Sequence, residues 1–591
     1  MKLNKRLLVF ISLILCASLL CACQNNNTQA SSTKPDIDDV LGNIDTSIKD
    51  KDTNSDYSEE GSTKIEFSQD KASVKGVGAS AQGADVRIGA NGTYILSGSS
   101  TNGSIIIDAG KNEVKLVLNG LSLANSDGPA ILIKNAKKVI ITLADGSNNL
   151  ISDGSSYVLY EGNATVDGAI FSKSALVING TGALTVNGNN AHGIVVKDGL
   201  TIAGGDLNVK SSGVGICGKD YIKVSNSNIK INAGTDGLRS DNIEDVDLGY
   251  IYVQSGTFDI TSANDAIQAY GIVSVEGGSF KIKTTSTDSL SSAKGVKGVT
   301  GVAISGGSFV IDSIDDGLHS DGDILVAGGD ISILSGDDGV HANDTLKITN
   351  GNLIIQKSYE GLEATGIIIS GGYVEINSSD DGMNASGGND SNTGVTGRPG
   401  GDMFESTDGS ITISGGYVIV HNEGDGIDAN GSLEISGGIV LVDGPSRGGN
   451  GSFDYATSAK ITGGVVITLG VSDMAQNFSE ATQGSILLKS NSNFSIGTVI
   501  SLCDENGNVI LAFTSTKAFN GMLFSAPELE LGKTYTFYKN ANVSGLDENG
   551  FAHNTTQTGG EAWTSVTLTN LISGQGSSMG GGGFPGGRPP R

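Results

Sequence analysis

The chain has 591 residues, of which 37% are hydrophobic and 5% aromatic, with 88 glycines and a formal charge of −27. That charge disfavours nucleic acid and anionic membrane surfaces as partners and favours cations or neutral and cationic ligands. Hydrophobic residues alternate with small polar ones over most of the length, so the chain reads as strands and not as helices or general disorder.

Residues 1–22 carry Lys2, Lys5 and Arg6 and then an apolar run over residues 7–20. This is the pattern of a secretory signal and is too short for a stable spanning helix. The run ends Leu20-Cys21-Ala22-Cys23, which resembles the lipobox of bacterial lipoproteins. That resemblance implies lipidation at Cys23 and a place on the extracellular face of the bacterial membrane. Cys21 fits worse, because Leu20 would take the small position before it. An ordinary cleaved signal is the plainer alternative. Residues 23–63 are rich in Asn, Thr, Ser, Asp and Lys, and read as a lipid-anchored flexible linker. Cys217 and Cys503 read as two isolated thiols.

Residues 64–464 predict a parallel β-helix. In its clearest part Gly295, Gly317, Gly339, Gly361 and Gly382 recur about every 22 residues, and three short alternating segments fill each repeat. One repeat shows strands around Leu318, at residues 324–326 and at residues 331–333, with turns at Asp321-Gly322-Asp323, Gly328-Gly329 and Gly336-Asp337-Asp338-Gly339. Glycine at such corners is expected to supply φ > 0. Stacked repeats would bury one column of Ile, Val and Leu. Residues 64–152 read as opening turns and an N-terminal cap. Loops are expected at residues 242–249, 284–292 and 386–409, the last holding Arg398-Pro399. Residues 465–572 read as an antiparallel β cap, and residues 573–591 as a disordered Gly/Pro tail.

The acidic turns carry the chemistry. Equivalent positions in stacked strands lie ~4.8 Å apart. Asp316, Asp338, Glu360 and Asp381 would form one column, and Asp315, Asp337 and Asp380 its neighbour. Each adjacent pair of charges repels by roughly 3 kcal/mol at an effective dielectric of 20. Several such pairs rival the ~5–15 kcal/mol net stability of a domain. Ca²⁺ relieves this, since it takes six to eight oxygen ligands with flexible geometry. Asp321, Asp323, Asn343 and Asp344 add oxygen ligands near the same corner, as do Asp236, Asp241, Asp265, Asp425 and Asp428 in similar clusters. Sparse His and absent Cys disfavour softer metals. The plainer alternative is that these carboxylates build Asx turns under water and salt screening. His319 and His341 stack one repeat apart and would either meet a ligand or sit as solvated turn residues.

Several motifs resemble a family of bacterial surface lipoproteins, the carbohydrate-binding domain-containing proteins, best known from clostridia. They include Asp167-Gly168-Ala169-Ile170-Phe171, Arg239-Ser240-Asp241-Asn242, Tyr359-Glu360-Gly361-Leu362-Glu363, Asp380-Asp381-Gly382-Met383-Asn384 and Ser452-Phe453-Asp454-Tyr455. The resemblance implies a right-handed parallel β-helix with bound calcium. It also implies binding of plant cell-wall glycans: acidic pectin or polygalacturonate, and cellulose. His319, His341, Tyr359, Glu363, Asn384 and Arg239 are the expected sugar contacts, and no catalytic residue is assigned. Trp563, the only tryptophan, lies outside the repeats, while Tyr359, Tyr373 and Tyr417 lie within them and would stack on sugars or fill space. The rival reading is a calcium-dependent pectate lyase with Arg239, Lys294 or Lys297 as base, although a cation among carboxylates makes a poor base. Inverting hydrolysis by paired carboxylates and a passive adhesin are further alternatives. The expected partners are polysaccharide and, through the anchor alone, the membrane; the chain is expected to act as a monomer.

Overall fold

The computed structural model describes residues 42, 44–158, 166–286, 292–386 and 409–574. The leader, Cys23, residues 387–408 and the tail beyond residue 574 lie outside the described residues. The described chain is all-β, and 46 of its strands share one large, mostly parallel sheet. An open twisted sheet rarely exceeds about ten strands. The larger number follows from how the repeats pair.

Within a repeat the three strands seek partners in the repeats before and after. Leu238–Ser240 pairs in parallel with Ile267–Ala269, Tyr250–Val253 with Ile272–Val275, and Gly256–Ser262 with Ser279–Thr284. The same three ladders continue through the acidic repeats to Phe453–Tyr455, Ser458–Ile461 and Val465–Gly470. Equivalent residues therefore meet. Ile282 pairs with Ile311, Ile311 with Ile333, and Ile333 with Ile355, all at most 1% exposed. Such rows of Ile, Leu and Val form one continuous core, in which each fully buried side chain contributes roughly 1.5–3 kcal/mol. Phe258, Phe280 and Phe309 stack within it at centroid separations of 4.5 and 4.3 Å.

Glycine serves two different needs. The second glycine of the Gly-Gly corners has positive φ, as at Gly307 (100°), Gly329 (93°) and Gly438 (81°). The glycine after the acidic pair does not. There the next repeat lies too close: a Cβ on Gly317 would fall 2.6 Å from the Gly339 carbonyl oxygen, and one on Gly361 2.3 Å from that of Gly382. The expectation of φ > 0 at Gly322, Gly336 and Gly339 is corrected accordingly; crowding, not handedness, demands glycine at Gly339.

The ends are covered differently. Thr63–Ser68 pairs antiparallel with Lys71–Lys75 at one end. At the other, Phe519–Ala526 pairs antiparallel with Val465–Gly470 and terminates that parallel ladder. A separate five-stranded antiparallel sheet runs Phe551–Thr555, Val509–Thr514, Val499–Cys503, Thr534–Lys539, Glu561–Thr567. Residues 242–249 contain no strand, as the spacing predicts.

The described end of the expected linker is tied to the strands. Asp52 is buried and accepts from Lys138 Nζ at 2.8 Å. Asn179 Nδ2 donates to the Asp52 and Asn54 carbonyls, Lys223 Nζ to that of Ser47, and Tyr250 Oη to that of Asp45. These contacts arise because the outward side chains of successive repeats line up along one track.

Phe280→Ala removes the middle ring of the stack. It is expected to destabilise the protein by about 3–5 kcal/mol in chemical or thermal unfolding; an unchanged unfolding midpoint would show that the ring column contributes nothing.

Candidate metal centre

The acidic turns stack as their spacing predicts. Gly317 N donates to the Asp338 carbonyl, Gly339 N to Glu360, Gly361 N to Asp381 and Gly382 N to Asp425, at 2.8–3.0 Å. The same bonding continues backwards through Asp316, Lys294, Asp265 and Asp236. One column thus reads Asp236, Asp265, Lys294, Asp316, Asp338, Glu360, Asp381, Asp425. A second column, two residues beyond the glycine position, pairs Arg239, Gln268, Lys297, His319, His341, Glu363, Asn384, Asp428 and Asp454 in register.

Bases in these columns neutralise the earlier repeats. Lys294 Nζ lies 3.0 Å from Asp315 and 2.5 Å from Asp316. Burial opposes the Lys294 charge, yet the Asp316 and Asp315 carboxylates outweigh it and raise its pKa. Burial likewise opposes the Asp316 carboxylate, and His319 with Lys294 outweighs that and holds it low. His319 bonds Asp316 and Asp321 through its two nitrogens, and His341 bonds Asp338 and Asn343 in the same way. His341 Nδ1 also lies 3.0 Å from Glu363. Burial opposes the His341 cation, but Asp338 and Glu363 push its pKa up. Burial, with Asp316 and Glu363 nearby, raises Asp338. The imidazoles stack at 5.0 Å and are only 3% and 0% exposed.

This corrects the sugar-contact assignment of His319 and His341, which are neither solvated nor reachable: side chains of adjacent repeats close over them. Lys294 supplies counter-charge to Asp315 and Asp316, which weakens the charge argument for calcium there, although Asp315, Asp316 and Asp337 still bring carboxylate oxygens within 4.8 Å of one another. Asp323 accepts from Thr345 N instead, and Asn343 is used by His341. Asp236 and Asp241 are held by Arg239 at 3.2 and 3.1 Å. Burial opposes the Arg239 cation, while Cys217, Asp241 and Asp236 raise its pKa. That pairing takes Arg239 away from free sugar contact. Lys297 lies 4.0 Å from Asp321. Asp265 accepts from Lys294 N, and burial lifts it to about 6.

Beyond His341 the bases run out. Asp381, Asp425 and Asp428 bring carboxylate oxygens within 4.8 Å of one another, and among the described residues none of the three pairs with a cation. Burial first, then Asp425, Glu360 and Asp380, lift Asp381 to about 8. Burial, then Asp381, Asp454 and Asp425, lift Asp428 to about 8. Burial raises Asp425 to about 6, and burial followed by Glu363 raises Glu360 to about 7. Asn384, in register with Asp428, donates its amide to Glu360 at 3.0 Å. Its Oδ1 is buried without a hydrogen-bond partner. Asp381 accepts from Asp425 N and Asp425 from Gly451 N, yet no cation among the described residues answers the set, and the orphaned amide oxygen of a neighbouring repeat adds to an oxygen-rich site that suits a hard cation.

The sequence spacing separates Asp381 from Asp425 and Asp428 by an insertion; stacking joins them. Asp454 escapes notice although it follows Asp428 in register, where Gln476 Nε2 donates to it at 2.9 Å. Its motif, Ser452-Phe453-Asp454-Tyr455, is the signal that would have found it. Tyr359 is 49% exposed next to the cluster, and a hydrogen bond to Asp380 raises its pKa to about 12. Tyr373 and Tyr417 stack on each other and bond Asn549 and Asp547 of the C-terminal region. They fill that junction.

The cluster sets a pH dependence. Its folded pKa values exceed the ordinary value of about 4 for a free Asp, so between about pH 4 and 8 the folded state keeps protons that the unfolded chain releases. The stability it contributes is full below that window and is lost as pH rises through it. In chelator, the melting temperature of wild type is expected to fall from pH 5 to pH 8 more steeply than that of Asp428→Asn. Equal slopes would overturn the assignment.

A family model described as carbohydrate-binding domain-containing protein matches residues 82–339 and 337–501. A protein of that description from Acetivibrio thermocellus is 38% identical over 151 residues, which is 25% of this chain and 53% of that protein. The chain spans about half the length of this relative. A solved structure described as the polysaccharide lyase-like protein from C. thermocellum, a gadolinium derivative, is 28% identical, with 49% of this chain and all of that one covered at a TM-score of 0.37. Since the family model spans well over half of the 591 residues, the chain belongs to the carbohydrate-binding domain-containing protein family.

Proposed function

We propose that this protein binds cell-wall polysaccharide without transforming it, and that calcium held at Asp381, Asp425 and Asp428 takes part. The carrying observation is that these three carboxylates converge with no paired cation among the described residues. Asn384 Oδ1 is a ready fourth oxygen, and Glu360 and Asp454 border the set. Calcium completes its shell from such hard oxygens and from the ligand. It also explains how a chain of charge −27 can hold an acidic glycan, since the ion is shared between protein and uronate carboxylates. Polygalacturonate is the preferred ligand on this reading, and cellulose the second.

The three ladders support a further reading, that the repeats close into a right-handed parallel β-helix with about 22 residues per turn. The leader supports lipidation at Cys23 and display on the outer face of the cell membrane. The ion pairs of Arg239 and Lys294 weigh against a lyase, because a carboxylate-paired cation is a poor base at neutral pH.

Calcium at about 100 times its dissociation constant is expected to stabilise the fold by about 2.7 kcal/mol, and Asp425→Asn/Asp428→Asn to lose that gain; a melting temperature indifferent to calcium and EDTA would sink the metal assignment. On immobilised polygalacturonate, wild type should be retained in calcium, without unsaturated product accumulating in the wash. No retention on polygalacturonate or cellulose would end the glycan reading, and product formation would replace it with a lyase.

A further inference from the structure

A second site lies where the stacked repeats meet the C-terminal region. A cleft of about 510 Å³ opens there between residues 356–358, residues 377–379, His421, Glu423 and residues 516–517. Its lining differs from the rest of this acidic molecule: lysines, a histidine, amides and hydroxyls face one carboxylate. That carboxylate, Glu423, is already occupied, 3.1 Å from Lys517 Nζ and accepting from Ser446 Oγ at 2.7 Å. Lys517 is further fixed by donating to the Asn422 carbonyl. Asp443, fully buried beside His421, is saturated by Ser515 Oγ at 2.7 Å and Thr516 N at 2.6 Å.

Two polar atoms behind this wall make no hydrogen bond among the described residues. Ser358 is 1% exposed, and its Oγ has no hydrogen-bond partner. His421 Nδ1 is buried too and faces the Asp443 carboxylate at 3.6 Å as an ion-pair contact. Lys357 is exposed at the rim and has no side-chain partner among the described residues. A free ammonium, an imidazole and several hydroxyl and amide groups around one concavity match a ligand with one carboxylate and many hydroxyls.

We infer that this cleft binds a uronic acid residue of a polysaccharide directly, with Lys357 taking its carboxylate, independently of the cation centre at Asp381, Asp425 and Asp428. The inference rests on the glycan-binding reading and assigns it a second subsite. Residues 356–358, 377–378 and 421 belong to the ladder of Asn352–Ser358, Tyr373–Ser378 and Tyr417–His421, whereas Asp428 lies in that of Met383–Ala385 and Ile427–Ala429; Ser379 and Glu423 of the cleft precede Asp381 and Asp425 by two residues. One glycan chain need not reach both.

The test is calorimetric titration of the full chain with a galacturonate trisaccharide in excess EDTA, next to the polygalacturonate retention assay in calcium. Wild type is expected to bind the trisaccharide in EDTA. Lys357→Ala, at an exposed rim position where the fold is not at stake, should weaken binding by about tenfold or more. His421→Gln should weaken it too. A neutral galactose trisaccharide should bind wild type at least about tenfold more weakly. No binding in EDTA by a protein that is retained in calcium overturns the second subsite and leaves the glycan reading standing. Binding in EDTA that neither Lys357→Ala nor His421→Gln weakens overturns the location. Absence of both retention and titration overturns the glycan reading and the subsite together.

Discussion

Parallel in-register pairing sets each side chain about 4.8 Å from its equivalents in the neighbouring repeats. Like therefore meets like along every column, and the consequence depends on chemistry. For Ile282, Ile311, Ile333 and Ile355 the meeting is favourable, because identical branched side chains interlock and exclude water. For phenylalanine it builds the ring stack from Phe258 to Phe309. For carboxylates it is a penalty of roughly 3 kcal/mol per contact at an effective dielectric of 20. Each acidic repeat must find an answer to that penalty.

The molecule uses two answers along one edge. In the earlier repeats a base is interleaved in the same columns or beside them: Arg239 answers Asp236 and Asp241, Lys294 answers Asp315 and Asp316, and the two imidazoles answer Asp316, Asp321 and Asp338. These are internal ion pairs, closed by burial. In the later repeats the second column turns from His341 to Glu363, Asn384, Asp428 and Asp454. Glu363 is still answered by His341, but among the described residues no base pairs with Asp381, Asp425 or Asp428, and burial raises the pKa of all three. The candidate centre sits where the sequence of bases ends. The junction cleft follows the opposite logic: its carboxylates are satisfied from within, which leaves Lys357 and the hydroxyls for an outside partner.

Much of this was legible in the residues alone. The spacing of Gly317, Gly339, Gly361 and Gly382 aligns the acidic turns correctly, because a repeat period maps directly onto register. The Gly328-Gly329 corner is read as needing positive φ, which Gly329 has and Gly328 does not. The glycine after the acidic pair was assigned the right residue for the wrong reason, since crowding by the next repeat cannot be seen within one turn. The buried state of His319 and His341 was also hidden, because turn residues flanked by Asp and Ser look solvated until neighbouring repeats close over them. Lys294 belongs to a repeat that follows an insertion, so its place in the acidic column appears only once the strands are paired. Asp454 is displaced in the same way.

The sequence by itself determined the all-β class, the repeat length and the rows of residues that stack, since these depend on local alternation and on a period counted along the chain. Tertiary structure alone decided which carboxylates are paid in kind by a base and which are left unanswered. Charge compensation depends on distances of a few ångströms, within one turn for His319 and Asp316 and across successive repeats for Lys294 and Asp316, and on the burial that strengthens them. Neither quantity is a property of any segment taken alone.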